Sequence, residues 1–231
     1  MVWGAKIVMP INPTVQFCPL CGSRSAEPFH RDRKRDYFRC LSCDLVFVPL
    51  EQQVSPEQEK ARYDLHRNTA FDPGYRAFLS RLFQPLETKL LPGARGLDFG
   101  CGPTPTLSLL FQEAGYRCDN YDLHYANDPA VLEQKYDFLT CSETLEHLVR
   151  PREEFERFLR LVKPGGWIGI MTQLREPEFT PFGDWFYKDD ATHIGFFSRQ
   201  VFQTLEKAYG LRLEFHPDSV MLFQTSEKPR S

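Results

Sequence analysis

The sequence lacks any long apolar run. Within its 231 residues, no uninterrupted hydrophobic stretch approaches the roughly 18 residues of a membrane-spanning helix. The first six residues also lack the basic start and long apolar stretch that are typical of a secretory signal. We therefore expect a cytoplasmic protein with no membrane partner.

An excess of charge of either sign is also missing. The net charge is -3 and the isoelectric point is about 6.1, which gives no global attraction to nucleic acid or to an anionic membrane. Apolar residues are not scarce, because 42% of the chain is hydrophobic and 20 residues are phenylalanine. The length and composition fit one main α/β domain with a small appendage.

Cysteine is uncommon, but four of the seven cysteines form two C-x-x-C pairs separated by 18 residues: Cys18, Cys21, Cys40 and Cys43. This spacing is typical of a tetrahedral zinc site with two knuckles. The segment from about 15 to 50 has too few apolar residues to fold alone, so zinc binding would organise it. Four thiolates leave no open coordination position, which makes the predicted zinc structural. The alternative is a set of free or disulfide-bonded cysteines.

The segment between the cysteine pairs, residues 30–39, is basic and ends in Tyr37 and Phe38. As a β-hairpin it could contact phosphates or stack on bases. The alternative is a solvated hairpin whose two aromatic residues cover the zinc knuckles. We favour the second interpretation because Asp32 and Asp36 dilute the positive charge.

The segment 96–103 combines a short apolar strand with a turn that carries almost no side chain. Asp98 lies in the strand, and Gly100 and Gly102 allow backbone N–H groups at a helix N-terminus to approach a ligand closely. Asp122 follows 24 residues after Asp98, at the end of a second apolar stretch. Acid, glycine turn and second acid are how a doubly wound α/β domain holds an adenosine, so the sequence predicts a nucleoside cofactor.

The remaining pattern predicts alternating strands and helices. Ser55 is a predicted N-cap for a first helix, and Ser198 is a predicted N-cap for the last. The predicted strands are residues 96–99, 117–121, 136–141, 167–172, 211–216 and 219–224. The predicted domains are a zinc ribbon at 1–50, a helical lead-in over the cofactor cleft at 51–92, and a Rossmann-like domain at 93–231.

Two further motifs follow Asp122 in the chain. They are the segment 136–148, which contains Ser-Glu-Thr-Leu-Glu-His, and the segment 161–166, which ends in Lys-Pro-Gly-Gly. Together with residues 97–102 and Asp122, this ordered set resembles the class I S-adenosylmethionine-dependent methyltransferase family. The preceding four-cysteine ribbon is similar to that of a group of bacterial methyltransferases.

The resemblance implies roles for individual residues. Asp98 would tether the glycine loop or the ammonium group of S-adenosylmethionine, while Gly100 and Gly102 would let the backbone approach its methionine moiety. Asp122 would accept hydrogen bonds from both ribose hydroxyls, and Ser142 would be a further cofactor contact. The family also implies a third strand, but only 13 residues separate Asp122 from the next predicted strand. We therefore expect the third strand to be missing or vestigial.

A possible cation site follows the strand at 136–141. Glu143, Glu146 and His147 can face one way, and His193 would join them from a later loop. This set is similar to the metal-binding residues of small-RNA 3′-terminal 2′-O-methyltransferases, and ubiquinone-biosynthesis O-methyltransferases share the Glu-x-x-Glu-His part. The candidate cation is magnesium or manganese. The alternative is a metal-free site with His193 as general base, His147 behind it and Glu143 as a further catalytic candidate.

Five aromatic residues flank His193 and either roof the acceptor pocket or pack beneath it: Trp185, Phe186, Tyr187, Phe196 and Phe197. The sequence does not decide between these two interpretations.

The predicted function is methyl transfer from S-adenosylmethionine to a small-molecule or sugar-like acceptor that a base or a divalent metal activates. The first alternative is an RNA methyltransferase that docks RNA on the ribbon through Arg33, Lys34 and Arg35. The second is a non-catalytic zinc-ribbon interaction protein. The sequence does not predict an oligomeric state.

Overall fold

The computed structural model describes residues 16–65, 68–176 and 178–227. The expectation that concerned the first six residues lies outside these ranges. The strands are β1 Ala26–Arg31, β2 Asp36–Cys40, β3 Val46–Phe47, β4 Arg95–Phe99, β5 Arg117–Tyr121, β6 Tyr136–Ser142, β7 Val162–Met171, β8 Gly195–Phe196, β9 Arg212–His216 and β10 Val220–Gln224. The α-helices are α1 Pro56–Tyr63, α2 Pro73–Glu87, α3 Thr106–Glu113, α4 Pro151–Leu161 and α5 Arg199–Tyr209.

The larger sheet has six strands in the order β5-β4-β6-β7-β10-β9. The first four strands are parallel, and β10 pairs antiparallel with both β7 and β9. The parallel strands are connected through helices, which brings their carboxyl ends to one edge of the sheet. The predicted α/β Rossmann-like architecture is therefore confirmed.

Apolar side chains from the helices cover both faces of this sheet. On one face, α2 and α3 contribute Leu82 and Phe111 to a cluster that also contains Trp167 and Leu222. On the other face, α4 and α5 contribute residues such as Phe158 to a second buried cluster. The result is a three-layer domain whose strand ends, rather than faces, are available for a ligand.

The stretch after Asp122 is short and contains no strand of the sheet. It holds a single bridge between Asp122 and Ala126, followed by a 3-10 helix at Pro129–Glu133. As a result β5 is an edge strand. The expected absence of the family's third strand is confirmed, because 13 residues are too few for a strand and its crossover helix.

The smaller sheet has the order β1-β2-β3-β8. Three of its strands come from the cysteine-containing segment, but β8 comes from residues near the end of the chain, and Val46 pairs with Phe196. The cysteine segment therefore packs as part of the main body. The division of the chain at residues 50 and 92 stays a prediction.

The two predicted N-caps differ in their hydrogen bonds. Ser55 accepts a hydrogen bond from the Gln58 amide and completes a capping box, as its position predicts. Ser198 precedes α5 as predicted, but its hydroxyl makes no cap bond. It donates instead to the buried carboxylate of Asp44, which also pairs with Arg175. The Ser198 hydroxyl thus bonds to a carboxylate that is distant in sequence and not to a backbone amide of its own helix.

Among the residues that the structure describes, no helix combines the length and apolarity needed to cross a membrane.

Candidate active site

The four predicted zinc ligands lie together in the structure. The Sγ atoms of Cys18 and Cys43 are 3.6 Å apart, and those of Cys21 and Cys40 are 3.5 Å apart. All four Sγ atoms lie within 4.8 Å of one another. A tetrahedral zinc site with Zn–S bonds of about 2.3 Å has sulfur atoms about 3.8 Å apart, so the geometry fits zinc.

The glycine turn and the second acid form one connected unit. Asp122 Oδ2 accepts a hydrogen bond from the Gly102 amide at 2.9 Å. Its Oδ1 accepts from the amides of His124 at 2.8 Å and Tyr125 at 3.1 Å. The carboxylate that follows β5 thus fixes the turn that follows β4, and both border the same cavity.

Gly100 and Gly102 are both required by the backbone, for different reasons. Gly100 has a φ of 76°, and a Cβ atom there would lie 2.2 Å from Thr144 Oγ1. Gly102 has a φ of 65°, but a Cβ atom there would meet no described atom within 4 Å beyond its chain neighbours. The first glycine permits close packing under the loop, and the second leaves the loop open toward the cavity.

Asp98 lies beneath this loop and is almost fully buried. Its Oδ1 accepts a hydrogen bond from Thr140 Oγ1 at 2.8 Å. Burial, with a smaller contribution from the charge of Asp122, raises the pKa of Asp98 to about 7. Near neutral pH the carboxyl group is therefore poised to ionise when a cation approaches it.

Ser142 ends β6 and borders the cavity beside Glu143. Its Oγ is buried and has no hydrogen-bond partner in the described part of the chain. A buried hydroxyl of this kind is costly without a partner, so a polar ligand atom in the cavity would stabilise it.

Glu143 begins the acidic motif in a left-handed backbone conformation, with a φ of 46°. This conformation is costly for a residue with a side chain and is found preferentially at functional sites. It turns the chain directly after β6, and Glu143 lines the cavity. Burial and the neighbouring charge of Glu146 raise the pKa of Glu143 to about 8.

Glu146 is completely buried behind the cavity wall. One carboxylate oxygen accepts a hydrogen bond from the hydroxyl of Tyr187, and the other accepts from Thr172 at 2.9 Å. The Tyr187 hydroxyl also lies 3.3 Å from Glu143 Oε2. Burial raises the pKa of Glu146, while its bonds to Tyr187 and Thr172 and the proximity of His193 oppose that effect.

The imidazole rings of His147 and His193 pack edge to face, with centroids 4.7 Å apart. Nδ1 of His147 lies 3.0 Å from the Thr192 carbonyl oxygen, and Nδ1 of His193 lies 2.7 Å from that of Tyr187. A carbonyl oxygen can only accept, so each Nδ1 carries a proton and each Nε2 carries the lone pair in the neutral ring. Burial lowers the pKa of His193, which favours that neutral form.

Of the four residues that the sequence grouped as a divalent-cation site, three lie together. Glu146, His147 and His193 each offer a ligand atom within 4.8 Å of the others. Glu143 stands outside this group and is linked to it through the Tyr187 hydroxyl.

These groups surround one cavity of about 960 Å³. The glycine loop, Asp98 and Asp122 line this cavity, and so do His147 and His193. Helices α1 and α2 also contribute lining residues, including Tyr63 and Phe78. A volume of this size fits a cofactor together with a small acceptor.

The basic hairpin agrees only in part with the favoured interpretation, in which it is solvated and both of its aromatic residues cover the zinc knuckles. β1 and β2 form the expected hairpin, and Phe38 packs in the cluster that contains the cysteines. Tyr37 lies on the other side, against Phe182 and Phe196. Arg35 is buried and donates to carbonyl groups of residues 188–193. It is therefore not a surface cation that could dock RNA.

The order of strands, the joined glycine loop and acid, and the shared cavity match one family. The model of a family described as a methyltransferase domain matches residues 67–215 of the chain. The chain belongs to this methyltransferase-domain family.

The curated relatives of this chain match only part of its length. The chain is 36% identical over 77 residues to the ubiquinone biosynthesis O-methyltransferase of Klebsiella pneumoniae (strain 342), covering 33% of this chain and 32% of that protein. It is 31% identical over 94 residues to the enzyme of the same name from Pseudomonas savastanoi pv. phaseolicola (strain 1448A / Race 6), covering 40% of each protein. The chain thus spans well under half of these relatives.

Two solved structures share the fold over most of the chain. The 1,6-didemethyltoxoflavin-N1-methyltransferase of Burkholderia thailandensis, with 1,6-didemethyltoxoflavin and S-adenosylhomocysteine bound, has a TM-score of 0.55 at 18% identity, covering 87% of this chain and 100% of that chain. The magnesium protoporphyrin IX methyltransferase of Synechocystis PCC 6803, with S-adenosylhomocysteine bound, has a TM-score of 0.52 at 14% identity, covering 74% and 94%.

Sequence reasoning missed several residues of this methyltransferase-family site. Tyr63 of α1 packs edge-on against His147 at 5.2 Å, and Arg62 pairs with Asp190 on the loop before His193. Tyr187 was predicted only as one of five aromatic residues that either roof or underlie the pocket. In the structure Tyr187 and Phe186 line the cavity, whereas the other three pack in buried clusters. No local signal distinguishes these roles, because each depends on contacts between distant segments.

Proposed function

We propose that this protein transfers the methyl group of S-adenosylmethionine to a small-molecule or sugar-like acceptor. The observation that carries the proposal is that Asp122 and the Gly102 amide, which are joined by a hydrogen bond, line the same cavity as His147 and His193. The glycine loop, Asp98 and Asp122 form its cofactor wall, and methyl transfer to an ionisable acceptor requires such a wall and a proton acceptor beside one shared cavity.

The cofactor wall fits S-adenosylmethionine in charge and shape. The carboxylate of Asp122 would accept hydrogen bonds from ribose hydroxyls, while the open position at Gly102 admits the methionine moiety. Asp98 would either bind the ammonium group of the cofactor directly or hold the glycine loop that binds the cofactor. The buried Oγ of Ser142 would find in the cofactor the polar partner that it lacks among the described residues.

When bound, S-adenosylmethionine supplies a methyl group already activated by its sulfonium. The protein's own residues therefore need to orient the acceptor, exclude water and remove a proton. Neutral His193, whose Nδ1–H is held by the Tyr187 carbonyl, would take that proton on Nε2. His147 lies beside it with the same tautomer and is the second candidate base.

The same side chains also fit a divalent cation such as magnesium or manganese. Glu146, His147 and His193 each offer a ligand atom within one small cluster, and each imidazole is oriented by a carbonyl group at its Nδ1. A cation held there would lower the pKa of an acceptor hydroxyl. Glu143, outside the cluster, would contact the acceptor or a water molecule near it.

We also propose that the four cysteines hold a structural zinc ion. The Sγ spacing of 3.5 and 3.6 Å supports this. The zinc would then stabilise the sheet to which β8 belongs.

Relatives support the small-molecule class of acceptor. By their names, the similar proteins are an O-methyltransferase of ubiquinone biosynthesis, a 1,6-didemethyltoxoflavin-N1-methyltransferase and a magnesium protoporphyrin IX methyltransferase. Of the three cations predicted to dock RNA, Arg35 is buried against a loop, whereas Arg33 and Lys34 are exposed. The non-catalytic alternative remains an outcome of the experiment below.

The decisive experiment is calorimetric titration of S-adenosylhomocysteine into the purified protein, with and without manganese. We expect micromolar binding that Asp122→Ala weakens strongly and that Asp119→Ala, on the preceding strand β5, leaves unchanged. If manganese binds to the wild-type protein but not to Glu146→Gln, the result would support activation of the acceptor by a divalent cation. If manganese does not bind to the wild-type protein, the result would support His193 as the general base. Absence of any binding of S-adenosylhomocysteine would contradict the enzyme proposal and favour an interaction protein.

A further inference from the structure

Arg35, in the hairpin that lies between the cysteine pairs, is a buried cation whose hydrogen bonds all go to uncharged oxygens. Its side chain and backbone together are only 7% exposed. Nε donates to the phenolic oxygen of Tyr37 at 3.3 Å. The two terminal nitrogens donate to four backbone carbonyls of residues 188–193. All five N–H groups of the guanidinium are thereby used.

The four carbonyl groups belong to a single loop. Nη2 donates to Lys188 at 2.5 Å and Asp190 at 3.1 Å, and Nη1 donates to Ala191 at 3.0 Å and His193 at 2.8 Å. The loop therefore wraps around the guanidinium. One of the bound carbonyls is that of His193 itself. The four hydrogen bonds from Arg35 to the loop, called the clamp below, therefore fix the backbone from which the His193 imidazole projects.

The clamped loop places both imidazoles in the candidate site. The Tyr187 carbonyl at its start accepts from Nδ1 of His193, and the Thr192 carbonyl near its end accepts from Nδ1 of His147. The amide of Ile194, directly after the loop, donates to the Glu146 carbonyl at 2.8 Å. A shift of the loop would thus move three members of the cluster relative to one another.

The clamp is itself held by the hairpin turn. Asp32 Oδ1 accepts from the amides of Lys34 and Arg35, and its Oδ2 accepts from the Tyr37 hydroxyl at 2.8 Å. Arg35 and Asp32 both bond to the Tyr37 hydroxyl, so the negative charge of the Asp32 carboxylate lies near the buried guanidinium. The turn and the strand therefore fix Arg35 before it meets the loop, which makes it a rigid support.

We propose that Arg35 is a positioning residue through which the cysteine-containing ribbon holds the acceptor-side loop in its working geometry. The proposal rests on the proposed function in taking His193 and His147 as the acceptor-activating groups. The planar fork of arginine matches four converging carbonyls, whereas lysine offers three donors from one point. The ribbon then acts as a part of the active site, and its hairpin is not a docking module.

The test compares Arg35→Lys and Arg35→Met with two controls by hydrogen–deuterium exchange of the whole protein. Arg33→Met removes an exposed cation two residues away, and Leu20→Ala removes a buried side chain from the core cluster that contains the cysteines. We expect amide exchange in residues 188–194 to accelerate by about tenfold or more in both Arg35 variants, because their backbone bonds lose their shared support. Exchange in β4 and α3 should stay unchanged.

A second readout follows the imidazole of His193 directly. In two-bond ¹H–¹⁵N spectra, assigned with His193→Gln, the wild-type ring should show the Nδ1–H tautomer, and Arg35→Lys should shift it toward an average of both tautomers. S-adenosylhomocysteine affinity should change less than about twofold, since the cofactor wall is untouched. Once an acceptor is known, Arg35→Lys should lower kcat and leave the KM for S-adenosylmethionine unchanged.

Three results would overturn the inference. They are unchanged exchange in residues 188–194, an unchanged His193 tautomer, or a Leu20→Ala variant that matches Arg35→Met in both readouts at equal loss of thermal stability. Exchange and tautomer are measured without an acceptor, so they test the clamp even if no methyl transfer is found. If Arg35→Met fails to fold, Arg35→Lys keeps the charge and much of the packed stem and still decides the question.

Discussion

Asp122 Oδ2 and the Gly102 amide nitrogen lie 2.9 Å apart, so the acid after β5 and the turn after β4 form one hydrogen-bonded unit. Asp122 also holds the amides of His124 and Tyr125 in the turn that follows it. One carboxylate thus shapes two loops at the carboxyl edge of the sheet. A change at this residue alters both the charge offered to a ligand and the backbone around it.

Asp122→Ala should weaken S-adenosylhomocysteine binding by about 10- to 100-fold or more, because each hydrogen bond to a charged group contributes about 1.5–3 kcal/mol. Asp122→Asn should lose less, since its amide oxygen can still accept from Gly102. Isothermal titration calorimetry measures both. Equal affinities in wild type and Asp122→Ala would contradict the assigned role.

The two glycines of the turn should respond differently to alanine. Gly102→Ala should cost about 1–2 kcal/mol of stability from its positive φ and should also weaken cofactor binding. Gly115→Ala, which has a φ of 90° and open space, is a matched control away from the cavity and should affect stability alone. Gly100→Ala should be the most damaging, because its Cβ would overlap Thr144. Urea denaturation and S-adenosylhomocysteine titration separate these effects, and a loss of affinity in Gly115→Ala would contradict the assignment.

The raised pKa of Asp98, about 7 instead of 3.8, predicts a specific dependence of stability on pH. Between these two values the folded protein binds a proton that the unfolded chain has released, so stability decreases as pH rises. From pH 5 to pH 7 the free energy of unfolding should fall by about 2–3 kcal/mol through this group, at about 1.4 kcal/mol per pH unit. Asp98→Asn should lack this component. The measurement is urea denaturation at several pH values, and identical pH profiles for the two proteins would refute the shift.

Tyr187→Phe should destabilise the protein by about 1–3 kcal/mol, because the buried Glu146 loses a donor. The loss should shrink in a Glu146→Gln background, where the carboxyl group that accepts from this hydroxyl is absent. A double-mutant cycle from urea denaturation gives the coupling energy. Additive effects of the two substitutions would show that the hydroxyl and the carboxylate are not coupled.

Zinc should be present at about one ion per chain and should be lost in Cys40→Ser, whose hydroxyl is a poor zinc ligand. Cys141→Ser is the control, because Cys141 is a buried core residue outside the four-cysteine cluster. Atomic absorption gives the zinc content, and thermal denaturation should show a lower transition temperature for Cys40→Ser. Full stability after complete removal of metal by a chelator would contradict a structural zinc site.

Much of the fold was predictable because its determinants are local. β5 has the predicted bounds, and α1 begins directly after the capping box of Ser55. β7 differs, since it begins at Val162, which pairs with Tyr136, and the register then shifts at the predicted Pro-Gly-Gly turn before Trp167 pairs with Phe138. Pairing between strands extends an element beyond the bounds that its own residues indicate.

The sequence by itself determined the order of elements, the missing third strand and the acid–glycine–acid pattern. Each depends on residue type, spacing or length within a short segment. Tertiary structure alone decided that β8 completes the ribbon sheet, that Glu143 stands apart from Glu146, and that Arg35 holds the loop of His193. The β8 pairing and the Arg35 contact join distant segments, the latter 158 residues apart, and no local pattern encodes them, because their geometry exists only once the core has packed.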